Sequence, residues 1–243
     1  MNTTLQLWIT KVGESTRQIE QQIIPLLSFS EKKRIQATKS INKQREFLLS
    51  RALMRHAFSE QYQYPVNQWR FVENSHSTPS ITNLPNNTHF SLSHSNGIIC
   101  FATSPYPIGV DIEKINKQRD FLALADCFMN ADEFEALKAK QHDEKAKYFY
   151  RIWCAKEAYY KANNSTTTQL QLGDVRNLPI LKIIKEHPIW NYKEYSLNSF
   201  WLTLVTRHTP APIKINLFPS DFALNSLQSG ANLSNQSRTK VTD

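Results

Sequence analysis

The segment from Thr88 to Glu113 constrains the fold more than any other part of the chain. Thr88-His89-Phe90-Ser91-Leu92-Ser93-His94 alternates in the manner of a strand, and Ile98-Ile99-Cys100-Phe101-Ala102 follows as a second strand-like run. Between them lies Ser95-Asn96-Gly97. Asn-Gly readily takes up the positive φ angles of a tight two-residue turn, so this placement predicts a β-hairpin. Pro105-Tyr106-Pro107 then breaks the pattern, and Ile108 to Glu113 reads as a third strand.

Elsewhere the pattern changes to helical. Ser30 is positioned to cap a helix from Glu31 to about Thr38. A longer helix is expected over Lys43 to Gln61, with Phe47, Leu48, Ala52 and Leu53 near 3.6-residue spacing. Asn130 and Glu133 form a capping-box pair for a short helix, and Asp143 opens a longer one running to about Ala162. Residues 3–10 and two or three segments within 178–206 read as further strands. Residues 73–88 and 163–171 are polar and loop-like, and a flexible polar tail is expected over 221–243.

Composition narrows the function classes. Hydrophobic residues make up 40% of the 243, enough to build a core and to exclude disorder as the main state. With only 5 glycines, the chain contains neither a GxGxxG nor a Walker-type phosphate loop. No 18-residue apolar run predicts a membrane span, and Met1 to Trp8 lacks the features of a secretory leader. Cys100, Cys127 and Cys154 are odd in number and without CxxC spacing, so they read as small buried apolar residues of a cytoplasmic protein. The net charge of +8 favours anionic partners: nucleic acid, phosphorylated small molecules or an acidic protein.

Three local patterns carry chemistry. In Ile108-Gly109-Val110-Asp111-Ile112-Glu113 the period of two sends the aliphatic residues to the core and Asp111 with Glu113 to the other face, with Gly109 leaving space beside them. Two carboxylates so placed repel one another unless a cation lies between them, and hard oxygens suit Mg²⁺. Read alone, the strand is also an ordinary acidic edge. In Trp153-Cys154-Ala155-Lys156-Glu157-Ala158-Tyr159-Tyr160-Lys161 the helical spacing puts Glu157 and Lys161 on one face. They suit either a surface ion pair or a third metal ligand with a phosphate contact one turn away. His94, among hydroxyls beside the hairpin turn, is either a solvated histidine or a phosphate donor.

Taken together, FSLSHS, IGVDIE and WCAKEAYYK resemble, in order and spacing, the signature motifs of Sfp-type 4′-phosphopantetheinyl transferases, and the upstream NKQREFLLSRALMR agrees. The resemblance covers residues 28–165. It implies an α+β fold: a pseudo-twofold pair of similar lobes, 1–105 and 106–220, each a small mainly antiparallel sheet packed with a long helix, and the active site between them. It also implies a monomer that moves the phosphopantetheine arm of coenzyme A to a serine of an apo acyl or peptidyl carrier protein. Asp111, Glu113 and Glu157 match the family's Mg²⁺ ligands, and Lys161 its coenzyme A phosphate contact. Ser93 and His94 match residues near the pyrophosphate, while Lys32, Arg45 and Arg51 fall where basic residues hold the 3′-phosphate. Where the family usually has Gly-Lys-Pro near the adenine, this chain has Ser77-Thr78-Pro79, and Ala158 replaces the usual serine.

For the proton of the attacking serine, Glu157 is the expected base and His94 the alternative, since a histidine beside a pyrophosphate is held protonated. Two rival classes share parts of the pattern. A Mg²⁺-dependent phosphoesterase also uses carboxylates and a lysine. A basic nucleic-acid-binding module would interleave exposed aromatics with its cations, whereas Phe149 and Trp153 sit at core spacing. Neither nucleic acid nor a membrane is expected as a partner.

Overall fold

The computed structural model describes residues 5–13, 16–74, 78–164, 175–186, 189–207 and 212–218. In chain order the elements are β1 (Leu5–Lys11), α1 (Arg17–Ile23), α2 (Phe29–Ala37), α3 (Ile41–Tyr62), β2 (Phe71–Val72), β3 (Ser80–Ile81), β4 (His89–Ser95), β5 (Ile98–Ser104) and β6 (Ile108–Lys114). They continue with α4 (Phe121–Ala125), α5 (Ala131–Lys138), α6 (His142–Asn164), α7 (Ile180–Glu186), β7 (Trp190–Leu197), β8 (Phe200–Arg207) and β9 (Ile213–Leu217). The class is α+β. One sheet has the strand order β4-β5-β1-β9, a second β6-β8-β7, and β2 and β3 form a separate pair. All pairings are antiparallel except that of β9 with β1. Among the described residues no helix is long and apolar enough to cross a membrane.

Period-two patterning sorts the side chains into layers. Trp8, Ile99 and Phe101 pack with Leu49, Leu53 and Phe58 of α3. The alternate residues of the same strands, Leu5, Leu7, Ile9, Ile98, Cys100 and Ala102, meet Ile108, Val110, Ile112, Leu202 and Leu204 of the second sheet. Beyond that sheet, Val205 and Trp190 pack with Phe149, Ile152, Ala155 and Ala158 of α6. The order of layers is therefore helix, sheet, sheet, helix. At one end of each sheet, β4 and β6 lie side by side.

The hairpin forms as expected, with Asn96 at φ 47° and Gly97 at φ 79°, both in the left-handed region. The Asn130–Glu133 capping box is also present. Four details differ from the sequence reading. The cap of α2 is Ser28, whose hydroxyl accepts from Glu31 N while Glu31 accepts from Ser28 N; Ser30 lies inside the helix. The segment 178–206, read as strands, supplies two, β7 and β8, but opens with a helix at Ile180, whose N–H is accepted by Glu133 Oε1, brought from α5, at 3.1 Å. Cys127 is exposed, unlike Cys100 and Cys154. No open space lies beside Gly109, since a Cβ there would stand 1.8 Å from Ala158 O. The tail expected over 221–243 falls outside the described residues.

Candidate functional site

Gly109 sets the geometry of the site. Without a side chain at this position, α6 comes down to backbone contact with β6, and the two pack over the face that carries Asp111 and Glu113. The i, i+4 spacing then delivers Glu157 and Lys161 to the same place. Asp111, 4% exposed, accepts at Oδ1 from Lys161 Nζ and from Ser93 Oγ, each at 2.8 Å. Lys161 Nζ also reaches Val110 O at 3.2 Å and Ser93 Oγ at 3.3 Å. Glu113 accepts from Ser95 Oγ at 2.9 Å. Leu92, Ser93, His94, Asp111, Glu113, Trp153, Glu157 and Lys161 line one cleft of about 290 Å³.

The electrostatics of the cleft are unbalanced. Burial first, then the charge of Asp111, raises the Glu113 carboxyl above its usual value, against hydrogen bonds from Ser95 and Trp153 and the charge of Lys161. Burial also raises Glu157; Lys161 opposes the shift, and Asp111 and Glu113 add to it. Burial alone would lower the Lys161 ammonium, yet the charge and hydrogen bond of Asp111, joined by Glu157 and Cys154, together hold the group above the ordinary lysine value. One ammonium therefore faces three carboxyl groups.

Among the described residues no three His, Cys, Asp or Glu side chains already stand as a metal cage. The donor set nonetheless fits a hard divalent cation. Asp111 Oδ2 is buried and has no hydrogen-bond partner, which is costly for a carboxylate oxygen unless something binds it. Mg²⁺ characteristically takes only one or two protein carboxylates and completes its shell with water and substrate phosphates.

The basic residues expected at the 3′-phosphate, Lys32, Arg45 and Arg51, do not line this cleft. Arg51 is 2% exposed and donates to Glu73 Oε1 from Nε at 2.8 Å and from Nη2 at 2.6 Å. It does not present its guanidinium to a ligand, because a buried cation needs these partners to remain inside. Arg45 donates to Glu20 at 2.7 and 3.0 Å and to Gly13 O at 2.6 Å. Lys32 is exposed on α2. His94 lines the cleft, with Nδ1 3.7 Å from Glu46 Oε2, and the other oxygen of Glu46 accepts from Gly97 N at 2.9 Å. Glu46, Ser95 and Trp153 were not singled out from the sequence. Only the serine period of FSLSHS could have pointed to Ser95.

Residues 107–209, which contain the acidic strand and α6, match the family model of the 4′-phosphopantetheinyl transferase superfamily (ACPS). The chain is 34% identical over 145 residues to 4′-phosphopantetheinyl transferase psf-1 of Bacillus pumilus, 60% of each chain. It is 38% identical over 114 residues to 4′-phosphopantetheinyl transferase Sfp of Bacillus subtilis (strain 168), 47% of this chain and 50% of that one. The match to 4′-phosphopantetheinyl transferase HetI of Nostoc sp. is longer and more distant: 25% over 198 residues, 80% and 83% of the two chains. The matches to the Bacillus proteins thus span between half and 60% of those relatives' lengths.

Proposed function

We propose that this protein transfers the 4′-phosphopantetheine arm of coenzyme A to a serine hydroxyl of an apo acyl or peptidyl carrier protein, with Mg²⁺ as cofactor. The observation that carries the reading is the cleft itself, where Asp111, Glu113, Glu157 and Lys161 converge from a strand and a helix of the family-matched segment. Asp111, Glu113 and Glu157 would hold Mg²⁺, which supplies neutralisation of the pyrophosphate and of the charge developing on the leaving group. Lys161, fixed on Asp111 at 2.8 Å, would turn to a phosphate oxygen an N–H now spent on its longer contacts with Val110 O and Ser93 Oγ, and His94 offers a second donor at the rim. Glu157 takes the proton as the serine oxygen bonds to the β-phosphorus. The phosphoanhydride bond then breaks, and adenosine 3′,5′-bisphosphate leaves with its electron pair. A carboxyl raised by burial is a better base than a solvated one, because its affinity for the proton is greater.

The basic surplus of the chain suits both an anionic cofactor and an acidic carrier. Lys32 and Arg45 are the candidates for the 3′-phosphate, Arg45 by exchanging a carboxylate partner for a phosphate. The halves 1–105 and 106–220 are read as a pseudo-twofold pair that builds the site within a monomer, each sheet carrying one long helix. β9 is the exception, since it joins the N-terminal sheet. The three unpaired cysteines fit a reducing cytoplasm. The test is mass spectrometry of apo carriers incubated with the protein, coenzyme A and Mg²⁺. A phosphopantetheine-sized mass gain on a carrier serine is the expected result. Hydrolysis of coenzyme A with no mass gain would make the protein a phosphoesterase instead.

A further inference from the structure

β4 carries a buried serine at every second position, Ser91, Ser93 and Ser95. The period of two places all three on one face and sends His94 to the other, where its side chain is 56% exposed. β4 and β6 are each the end strand of a sheet. An end strand has a row of backbone groups with no ladder partner, and burying such groups unpaired is costly. Here the serine hydroxyls take the place of a ladder. Val110 N donates to Ser91 Oγ at 3.0 Å, Ile112 N to Ser93 Oγ at 3.3 Å and Lys114 N to Ser95 Oγ at 3.2 Å.

A hydroxyl has one donor and two acceptor sites. Ser93 uses all three: it donates to Asp111 Oδ1 and accepts from Ile112 N and Lys161 Nζ. Ser95 donates to Glu113 Oε2 at 2.9 Å, with Asn96 Oδ1 a longer alternative at 3.4 Å, while it accepts from Lys114 N. Each of these two serines therefore binds the backbone of β6 and a carboxylate of the cleft at the same time.

We propose that the serines of this motif are positioning residues: they stitch the two sheets together and aim Asp111 and Glu113 into the cleft. Ser93, which also lines the cleft, and His94 on the opposite face of the strand keep the pyrophosphate contacts proposed for them. The part of this inference that concerns turnover rests on the transferase reading. The part that concerns the stitch does not.

Amide hydrogen exchange on the full chain, with no ligand added, tests the stitch in Ser91→Ala, Ser93→Ala, Ser95→Ala and Ser95→Thr. The expected result is that exchange at Val110, Ile112 and Lys114 accelerates by about tenfold or more in the matching alanine variant. Asp111 and Glu113 amides, which lie on the β8 side, stay slow. Ser95→Thr keeps the hydroxyl and keeps Lys114 slow. If Ser93→Ala does not fold, the two Ser95 variants decide the question. In carrier loading, Ser95→Ala is expected to lower kcat about tenfold with less than about a twofold change in KM for coenzyme A, and Ser95→Thr to recover it. Unchanged exchange at Lys114 in Ser95→Ala would overturn the stitch. A raised KM for coenzyme A at unchanged kcat would make the serine a ligand and overturn the positioning role. A wild-type protein that loads no carrier would sink the transferase reading and leave the exchange result to stand alone.

Discussion

Two clusters of buried charge, one in each half of the molecule, are built on opposite principles. In the N-terminal half, Glu31, Arg51 and Arg55 are at most 2% exposed, and Glu73 closes the group. Arg55 holds both oxygens of Glu31 at 2.9 and 2.7 Å, Arg51 holds Glu73, and Arg34 joins Glu73 from the rim. The guanidinium carbons of Arg51 and Arg55 lie 4.4 and 4.1 Å from the ring centres of Phe47 and Phe71. Two buried cations meet two carboxylates, so the charges match, and Arg55 Nε is the one buried nitrogen of the pair without a hydrogen-bond partner. The cleft instead sets three carboxyl groups around one lysine, with two of the carboxyls raised and one buried oxygen unpartnered. A balanced cluster joins elements of the fold, here α2, α3 and the strand before Glu73. An unbalanced one keeps a charge deficit that only something from solution can fill.

The largest effect expected from breaking this contrast is in Asp111→Asn. The amide keeps the shape but loses the charge that Lys161 and a cation both use, so carrier loading should fall by about a thousandfold or more, equivalent to about 4 kcal/mol. Circular dichroism should remain native. Retained Mg²⁺-dependent loading would show that the deficit has no role. Asparagine is a better probe than alanine here, because Lys161 sits on Asp111 Oδ1 and full truncation would also strand a cation.

Glu31→Gln should do the reverse. It leaves Arg55 and Arg51 short of a buried negative partner, and urea unfolding should report a loss of about 3–5 kcal/mol. A loss below about 1 kcal/mol would mean that the balanced cluster is not structural. Within the cleft, Glu157→Gln should lower kcat by at least about a hundredfold at saturating coenzyme A and Mg²⁺, whereas His94→Ala should mainly raise KM for coenzyme A. The opposite pattern would move the base to His94.

The smallest effect is the linkage of pH and metal. Glu113 and Glu157 have folded-state values above their unfolded ones. Their contribution to stability is therefore fully present below the unfolded value and is lost as pH rises through the raised folded values. Mg²⁺ acts in the opposite sense, since it binds the ionised folded cleft. The rise in Tm on adding Mg²⁺ should be greater at about pH 8 than at about pH 5, by an amount on the order of 1 kcal/mol of stability. Equal shifts at both would show that the carboxyls do not bind the metal.

Much of this was readable before any coordinates. Asn96-Gly97 specified the turn because few dipeptides accept positive φ at both positions. Asn130 and Glu133 specified a helix start because the capping box closes within four residues. Asp111 with Glu113, and Glu157 with Lys161, were legible as pairs because strand and helix periods are local. What misled was contact at long range. Arg51 looked available for a phosphate because its partner Glu73 is 22 residues away. The two strands within 178–206 were legible, but the helix Ile180–Glu186 ahead of them was not, because the group that accepts from its first N–H comes from α5, 47 residues earlier.

The sequence by itself therefore determined the local units and the types of charge they carry, since backbone sterics and side-chain periodicity act over a few residues. Only the tertiary structure decided which charges would be matched and which left open. Gly109 shows the reason. In the sequence it is an absent side chain, equally consistent with empty space. In the fold that absence is filled by the backbone of α6 at Ala158, and the close approach sets Glu157 and Lys161 over Asp111 and Glu113. Electrostatic energy depends on distances of a few ångströms between groups far apart in the chain, and packing alone establishes those distances.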